Sequence, residues 1–417
     1  MINYTQPLAP ELQIRVYETQ FKMENIQADV FTLRSADMVF SGEDRVEIPD
    51  AIFVNLTAEA AKARTVRMPL LKALSGAPTI GSAMDQRGRE EDIDVKWADF
   101  YYNDWSHAVS GQEYGILAKD KEPYQIFQKI TSLLALYDKE TEGKYCRQAL
   151  LERYSENLAV APLFLTMELT PNVFIAGLSN QAQPLYNVSG STRQTWVNAV
   201  AGALATAGTV ANAAIGVPYL QRLEEWASTG IGGALCEQIS VGGKDTYVVT
   251  VPSNQMTWLK HPTNPTSLGI MFRDYAALTT EDLKFPGAFG RIGKLLLCED
   301  QRWPTLTPGG TGDARTLTAR YKNPGRGVDS DPRDMTIAGR DVGFLLAKGA
   351  VVKWMKEDYH FEHDYLQYDK YYGKGNFCSH GFQQVQYDYG TSTRADETTR
   401  QMDGSIALIM AKPPQSA

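Results

Sequence analysis

Residues 120–158 read DKEPYQIFQKITSLLALYDKETEGKYCRQALLERYSENL. Apolar side chains recur at Ile126, Ile130, Leu133, Leu134 and Tyr137, then at Tyr145, Leu151, Tyr154 and Leu158, with Gln128, Lys129, Lys139 and Glu140 on the opposite face. That spacing is the helical period of a one-sided amphipathic rod. Asp120 is placed to cap its start, and Pro123 is tolerated in a first turn whose amides lack partners anyway. Unbroken, the helix would be about 55 Å long at 1.5 Å per residue. Gly143 is its weak point, costing roughly 1 kcal/mol relative to alanine, so a kink there or two shorter helices stay open. A long rod with one apolar stripe serves as the backbone of a layered domain, and the expected fold class is α+β.

Around this rod the chain changes character. From residue 1 to 58 short apolar pieces alternate with turn signals at Ser41-Gly42 and Pro49-Asp50, which predicts an irregular N-terminal arm. Residues 59–109 read as two extended arms joined by SGAPTIGSAMDQRG, whose glycines and proline make a mobile connector. The outgoing arm carries Lys62, Arg64, Arg67 and Lys72; the returning one carries Glu90, Glu91, Asp92 and Asp94. A long two-stranded excursion is marginal alone in water. Its charges either pair within the hairpin or meet complementary charges on another copy. Those eight residues are the candidate inter-subunit contacts.

Beyond the rod, two helical stretches follow a Pro/Gly/Asn-rich segment, the second entered through Val217-Pro218. Gly242-Gly243 leads into a β-branched strand ending at Pro252, 267–283 reads as a helix, and GRIGKLLLCED (290–300) as a buried strand. Residues 305–334, TLTPGGTGDARTLTARYKNPGRGVDSDPRD, show no periodicity and many breakers, which predicts a long functional loop. SIALIMAK (405–412) makes a last apolar strand.

Composition excludes several classes. The chain has 417 residues, 43% of them apolar, with a net charge of −8. That length suggests two or three domains, and that charge argues against a nucleic-acid reader. Four cysteines far apart form no disulfide framework. The start lacks a basic region followed by an apolar run, so no secretory signal is expected. Residues 196–220 are too polar for a membrane span, and no membrane partner is expected.

Catalytic patterns are weak throughout, and neither a catalytic residue, a metal nor a cofactor is expected. Gly293-Lys294 suggests a phosphate loop, but Ala288 and Leu295 stand where it needs glycine and a hydroxyl residue. His360, His363 and His380 are zinc-ligand types, and a metal-dependent hydrolase built on them is the alternative from a different class. Solvated or hydrogen-bonded histidines are the simpler reading.

Several passages, in order, resemble the major capsid proteins of tailed double-stranded DNA bacteriophages, closest to the podovirus subgroup that packages a virion RNA polymerase. They are TVRMPLLKALSGAPTIG (65–81) with Glu90-Glu91, TPNVFIAG (170–177), DTYVVTVPSNQMTWLK (245–260), FPGAFGRIGKLLLCED (285–300), and GRDVGFLLAKGAVVKW (339–354), the last resembling a Gly-rich approach to a helix. The long loop and the Tyr-rich tail depart from the family's pattern. The resemblance implies the tailed-phage and herpesvirus-type capsid fold. Its parts would be an N-terminal arm (1–58), an E-loop (59–109), a P-domain (110–165 and 343–417) with a spine helix at about 120–158, and an A-domain (166–342). It implies hexamers and pentamers in an icosahedral phage head enclosing double-stranded DNA without sequence-specific binding, in a virion assembled in the bacterial cytoplasm. Expected partners are further copies of the chain, a separate scaffolding protein, a portal protein at one vertex and, optionally, a decoration protein. An encapsulin-like compartment is the same-fold alternative.

Overall fold

In the computed structural model the described residues are 35–40, 51–58, 65–71, 95–101, 103–111, 123–151, 173–176, 193–206, 214–229, 234–261, 288–312, 315–321, 339–366, 371–384, 386–388 and 401–413. In chain order they form β1 (Ser35–Phe40), β2 (Phe53–Ala58), β3 (Thr65–Leu71), β4 (Val95–Tyr101), β5 (Asn103–Gly111) and α1 (Pro123–Leu151). Next come β6 (Val173–Ile175), α2 (Arg193–Thr206), α3 (Val217–Thr229), β7 (Ala234–Leu235), β8 (Ile239–Val241), β9 (Lys244–Pro252) and α4 (Ser253–Lys260). The remainder is β10 (Ala288–Ile292), β11 (Leu295–Asp300), β12 (Thr305–Gly309), β13 (Thr316–Arg320), β14 (Arg340–Leu346), β15 (Val351–Leu366), β16 (Tyr371–Gln383), β17 (Gln386–Asp388), β18 (Gln401–Asp403) and β19 (Ser405–Ala411).

The rod is a single helix through Gly143, as α1. Of its expected apolar stripe, Leu134 and Leu151 are buried and Leu133 is not, while the side chains of Ile126, Ile130, Tyr154 and Leu158 lie outside the described residues. Leu133 is 63% exposed, whereas Leu134 is buried against Tyr359, Phe361 and Cys378. The buried side also carries Asp138 and Arg147, charges that a hydrophobic pattern assigns to solvent.

Strands of the first sheet lie in the order β1-β2-β15-β16-β5, and α1 packs across it. β15 and β16 form a long antiparallel hairpin, flanked by β2 running parallel to β15 and by β5 antiparallel to β16. The end of the expected arm is therefore an ordered strand, with Phe53 opposite Val351. β5, within the span read as an excursion, belongs to this same sheet.

The second sheet runs β10-β11-β9-β14-β12-β13, with β19 on the other edge of β14, β6 beyond it and β8 on β9. Its central strands are buried on both faces, so they read as continuous apolar runs rather than alternating ones. Val248, Leu296, Phe344 and Ile409 face one core; Val249, Leu297, Leu345 and Leu408 face the other. The first of these cores also takes Leu150 of α1 and Phe382 of β16, so both sheets share it. The second is roofed by α3 and α4.

Two local expectations are overturned. Residues 305–312 and 315–320 are not an irregular loop: β12 and β13 pair antiparallel, with Gly310 (φ 71°) and Gly312 (φ 63°) following β12, and 322–334, the rest of the expected loop, lie outside the described residues. The two strands are short and polar on one side, so periodicity alone missed them. GRDVGFLLAKGAVVKW leads into no helix. It is β14, a turn at Gly349 (φ 67°) and the start of β15, the passage that carries the chain from one sheet to the other. Residues 267–283, read as a helix, lie outside the described residues.

Candidate assembly surface and its frame

β3 and β4 pair only with each other, in a two-stranded ladder separate from both large sheets among the described residues. Its register sets Arg67 opposite Asp99 and Pro69 opposite Trp97. Lys62, Arg64, Lys72, Glu90, Glu91, Asp92 and Asp94 lie outside the described residues.

Behind this excursion the spine is fastened by polar groups. Arg147, buried on α1, donates from Nε and Nη2 to the two carboxylate oxygens of Asp300 at 3.0 and 2.7 Å, and from Nη1 to the Gly143 carbonyl at 2.8 Å. Asp300 ends β11, so this forked pair ties the helix to the second sheet. Such planar two-bond pairs are among the stronger polar contacts. A charge in the middle of a helix's apolar stripe, and another closing an apolar strand, were the signals available for it.

One helical turn earlier, α1 meets the first sheet. Lys353 donates to Glu142 at 2.5 Å, and the Tyr359 hydroxyl donates to the same oxygen. Asn376 donates through its amide to Asp138. His380 is fully buried, edge-on to Tyr359 at 4.9 Å and near Trp105 at 6.3 Å. Burial, with the Lys353 charge beside it, pushes His380 well below its usual range and keeps the ring neutral, although Glu142 stands 3.7 Å away.

A third network explains two of the passages read in the sequence. Asp341 of β14 accepts from Asn254 (2.7 Å), Gln255 (2.8 Å) and the Trp303 indole (3.1 Å). Gln255 also donates to the Ala411 carbonyl at 2.6 Å and accepts from the Ile215 amide at 3.2 Å. The glutamine three residues after Pro252 thus joins β14, β19 and the entry to α3. Burial raises the Asp341 pKa, while its three side-chain donors and Lys412 oppose the rise.

His360 and His380 do not converge as a metal site. His380 lies under the spine, while His360 stacks on Phe377 and sits 3.3 Å from Glu357. The His363 side chain lies outside the described residues. Among the described residues no group of three metal-binding side chains forms. Gly293 and Lys294 make the β10–β11 turn, where the Lys294 amide donates to Glu224 at 3.1 Å. No helix among the described residues is long and apolar enough to cross a membrane, and 196–220 divides between α2 and α3.

No protein-family model matches the chain, and no curated protein matches it. Solved structures do. The Cyanophage Pam1 capsid aligns at TM-score 0.55 and 11% identity, covering 94% of each chain. The Ralstonia phage GP4 capsid aligns at 0.50 and 15%, covering 91% of this chain and 96% of its own. The head of Helicobacter pylori bacteriophage KHP40 aligns at 0.51 and 13%, covering 87% and 88%. This is the phage capsid fold. At such identities the likeness carries the fold alone.

Proposed function

We propose that this chain is a major capsid protein that tiles with copies of itself, as hexamers and pentamers, into an icosahedral phage head around double-stranded DNA. The observation that carries the reading is that a single capsid fold accounts for 94% of the chain in the Pam1 comparison. Its domains would be the arm (1–58), the E-loop (59–109), the P-domain (110–165 and 343–417) and the A-domain (166–342). The podovirus subgroup that packages a virion RNA polymerase is the closest by sequence passages. The charges on 62–72 and 90–94 are proposed contacts between copies. A net charge of −8 suits a wall that repels the phosphates it encloses. A scaffolding protein would act during assembly in the bacterial cytoplasm, and a portal would replace one vertex.

Electron microscopy of the purified full chain tests this, alone and with a co-expressed scaffolding protein. Closed icosahedral shells in the co-expressed sample are expected. A chain that stays monomeric in both samples overturns the reading. Regular shells from the chain alone overturn the need for scaffolding, and shells loaded with an enzyme in place of DNA overturn the phage head.

A further inference from the structure

The seam between α1 and the first sheet is short of hydrogen bonds in a specific way. Asn376 Nδ2 donates to Asp138 Oδ2, and both side chains are buried, at 2% and 0% exposure. The other oxygen of each, Asp138 Oδ1 and Asn376 Oδ1, is buried with no hydrogen-bond partner. An ionised carboxylate only accepts, so it cannot help a second acceptor. A buried acceptor left unmatched has lost its water without gaining a replacement, which destabilises the fold. A proton on Asp138 Oδ1 converts it into a donor, on the same pair of side chains that the first bond already holds together.

We propose that Asp138 carries its proton in the folded chain and forms a two-bond acid–amide pair with Asn376, a proton-dependent latch between α1 and β16. The groups around it agree. Glu142, one turn along α1, adds a negative charge that disfavours a second one. On β15, Lys353 and the Tyr359 hydroxyl are both committed to Glu142. On β16, Cys378 is held as a thiol by burial, and His380 is neutral. From β5, Trp105 closes the seam, and His107, held by burial below its usual range, stacks on Tyr137 at 3.9 Å. Burial first, then Glu142, pushes the Asp138 carboxyl up to about 8, against the pull of Asn376 and Lys353.

A carboxyl raised on folding binds a proton that the unfolded chain releases. Its stabilising effect is complete below the ordinary value of 3.8 and is lost as the pH rises through about 8. Lys374, lowered by burial to about 8, titrates in the same region, so a pH profile of the wild type alone does not isolate the latch.

The test compares the full chain with Asp138→Asn and Asp138→Ala, measuring unfolding by urea from about pH 5 to about pH 9. Asparagine keeps a two-bond pairing with Asn376 but has no proton to lose. The wild-type folding constant should fall relative to that of Asp138→Asn by up to about tenfold per pH unit from about pH 5 towards about pH 8, and level off above it. Asp138→Ala should be weaker than the wild type at pH 5. Parallel profiles for wild type and Asp138→Asn overturn the proposal. Should neither variant fold, aspartate-carboxyl NMR on the wild type decides. A buried aspartate titrating near 8 and coupled to the Asn376 amide supports the latch, and an Asp138 ionised at neutral pH overturns it.

Discussion

Arg147 and Asp300 are a buried charge pair, although each also has a backbone partner: the Gly143 carbonyl for Arg147 and the Arg302 amide for Asp300. Removing one partner of a buried pair leaves an uncompensated charge, which costs about 3–5 kcal/mol, whereas replacing both with apolar residues is often neutral. Asp300→Ala should therefore lower the urea midpoint strongly, and Arg147→Met with Asp300→Leu should recover most of the loss. Two glycines give a second contrast. A Cβ at Gly343 would stand 2.3 Å from the Thr250 carbonyl oxygen, a fixed backbone atom of β9. At Gly202 it would meet the Arg315 guanidinium at 2.2 Å, the end of a flexible side chain that donates to the Asn198 carbonyl. Gly343→Ala should cost several times what Gly202→Ala does in thermal melts, because only the arginine can swing aside.

At the scale of elements, the seam rests on Glu142. Glu142→Ala leaves the Lys353 ammonium buried at 9% exposure and the Tyr359 hydroxyl without its acceptor. A loss of about 3–5 kcal/mol is expected, with faster amide exchange along α1 reporting where the loss falls. The elements with a helical period, or with an apolar run bounded by turn residues, were legible in the residues. The spine was, and so were β9 after its Gly242-Gly243 turn, β11, and β19. The β12–β13 hairpin was not, because TLTPG and TLTAR are too short and too polar to stand out from the breakers around them. The helix expected after GRDVGFLLAKGAVVKW failed for a different reason. That helix was carried over from the resemblance rather than read from a helical period, and the residues that follow form β15. The Asp138 and Arg147 seams were hidden because hydrophobic patterning sends charges outward, and only tertiary partners bring them in.

At the scale of the molecule, the pairing of Phe53 with Val351 was invisible in the sequence, since nothing local to either residue announces the other. The charged excursion makes the prediction that belongs here. Reversing Arg64 and Arg67 to Glu should impair shell formation far more than folding of the single chain, because such charges are worth most at a contact between copies. Sedimentation would measure the first and urea unfolding the second. Equal losses would assign the charges to the hairpin itself, whose register sets Arg67 opposite Asp99.

The parallel placement of β2 beside β15 also sets a timetable. A ribosome making this chain releases residues 53–58 roughly three hundred positions before the strand they lie against. Until then the edge of that segment away from β1 waits uncovered, the condition in which chains of distant pairing fold slowly and stick to one another. A cell turning out many copies at once would hold a crowd of such half-made chains, so their yield should depend on chaperones that shield the first sixty residues until the last hundred arrive.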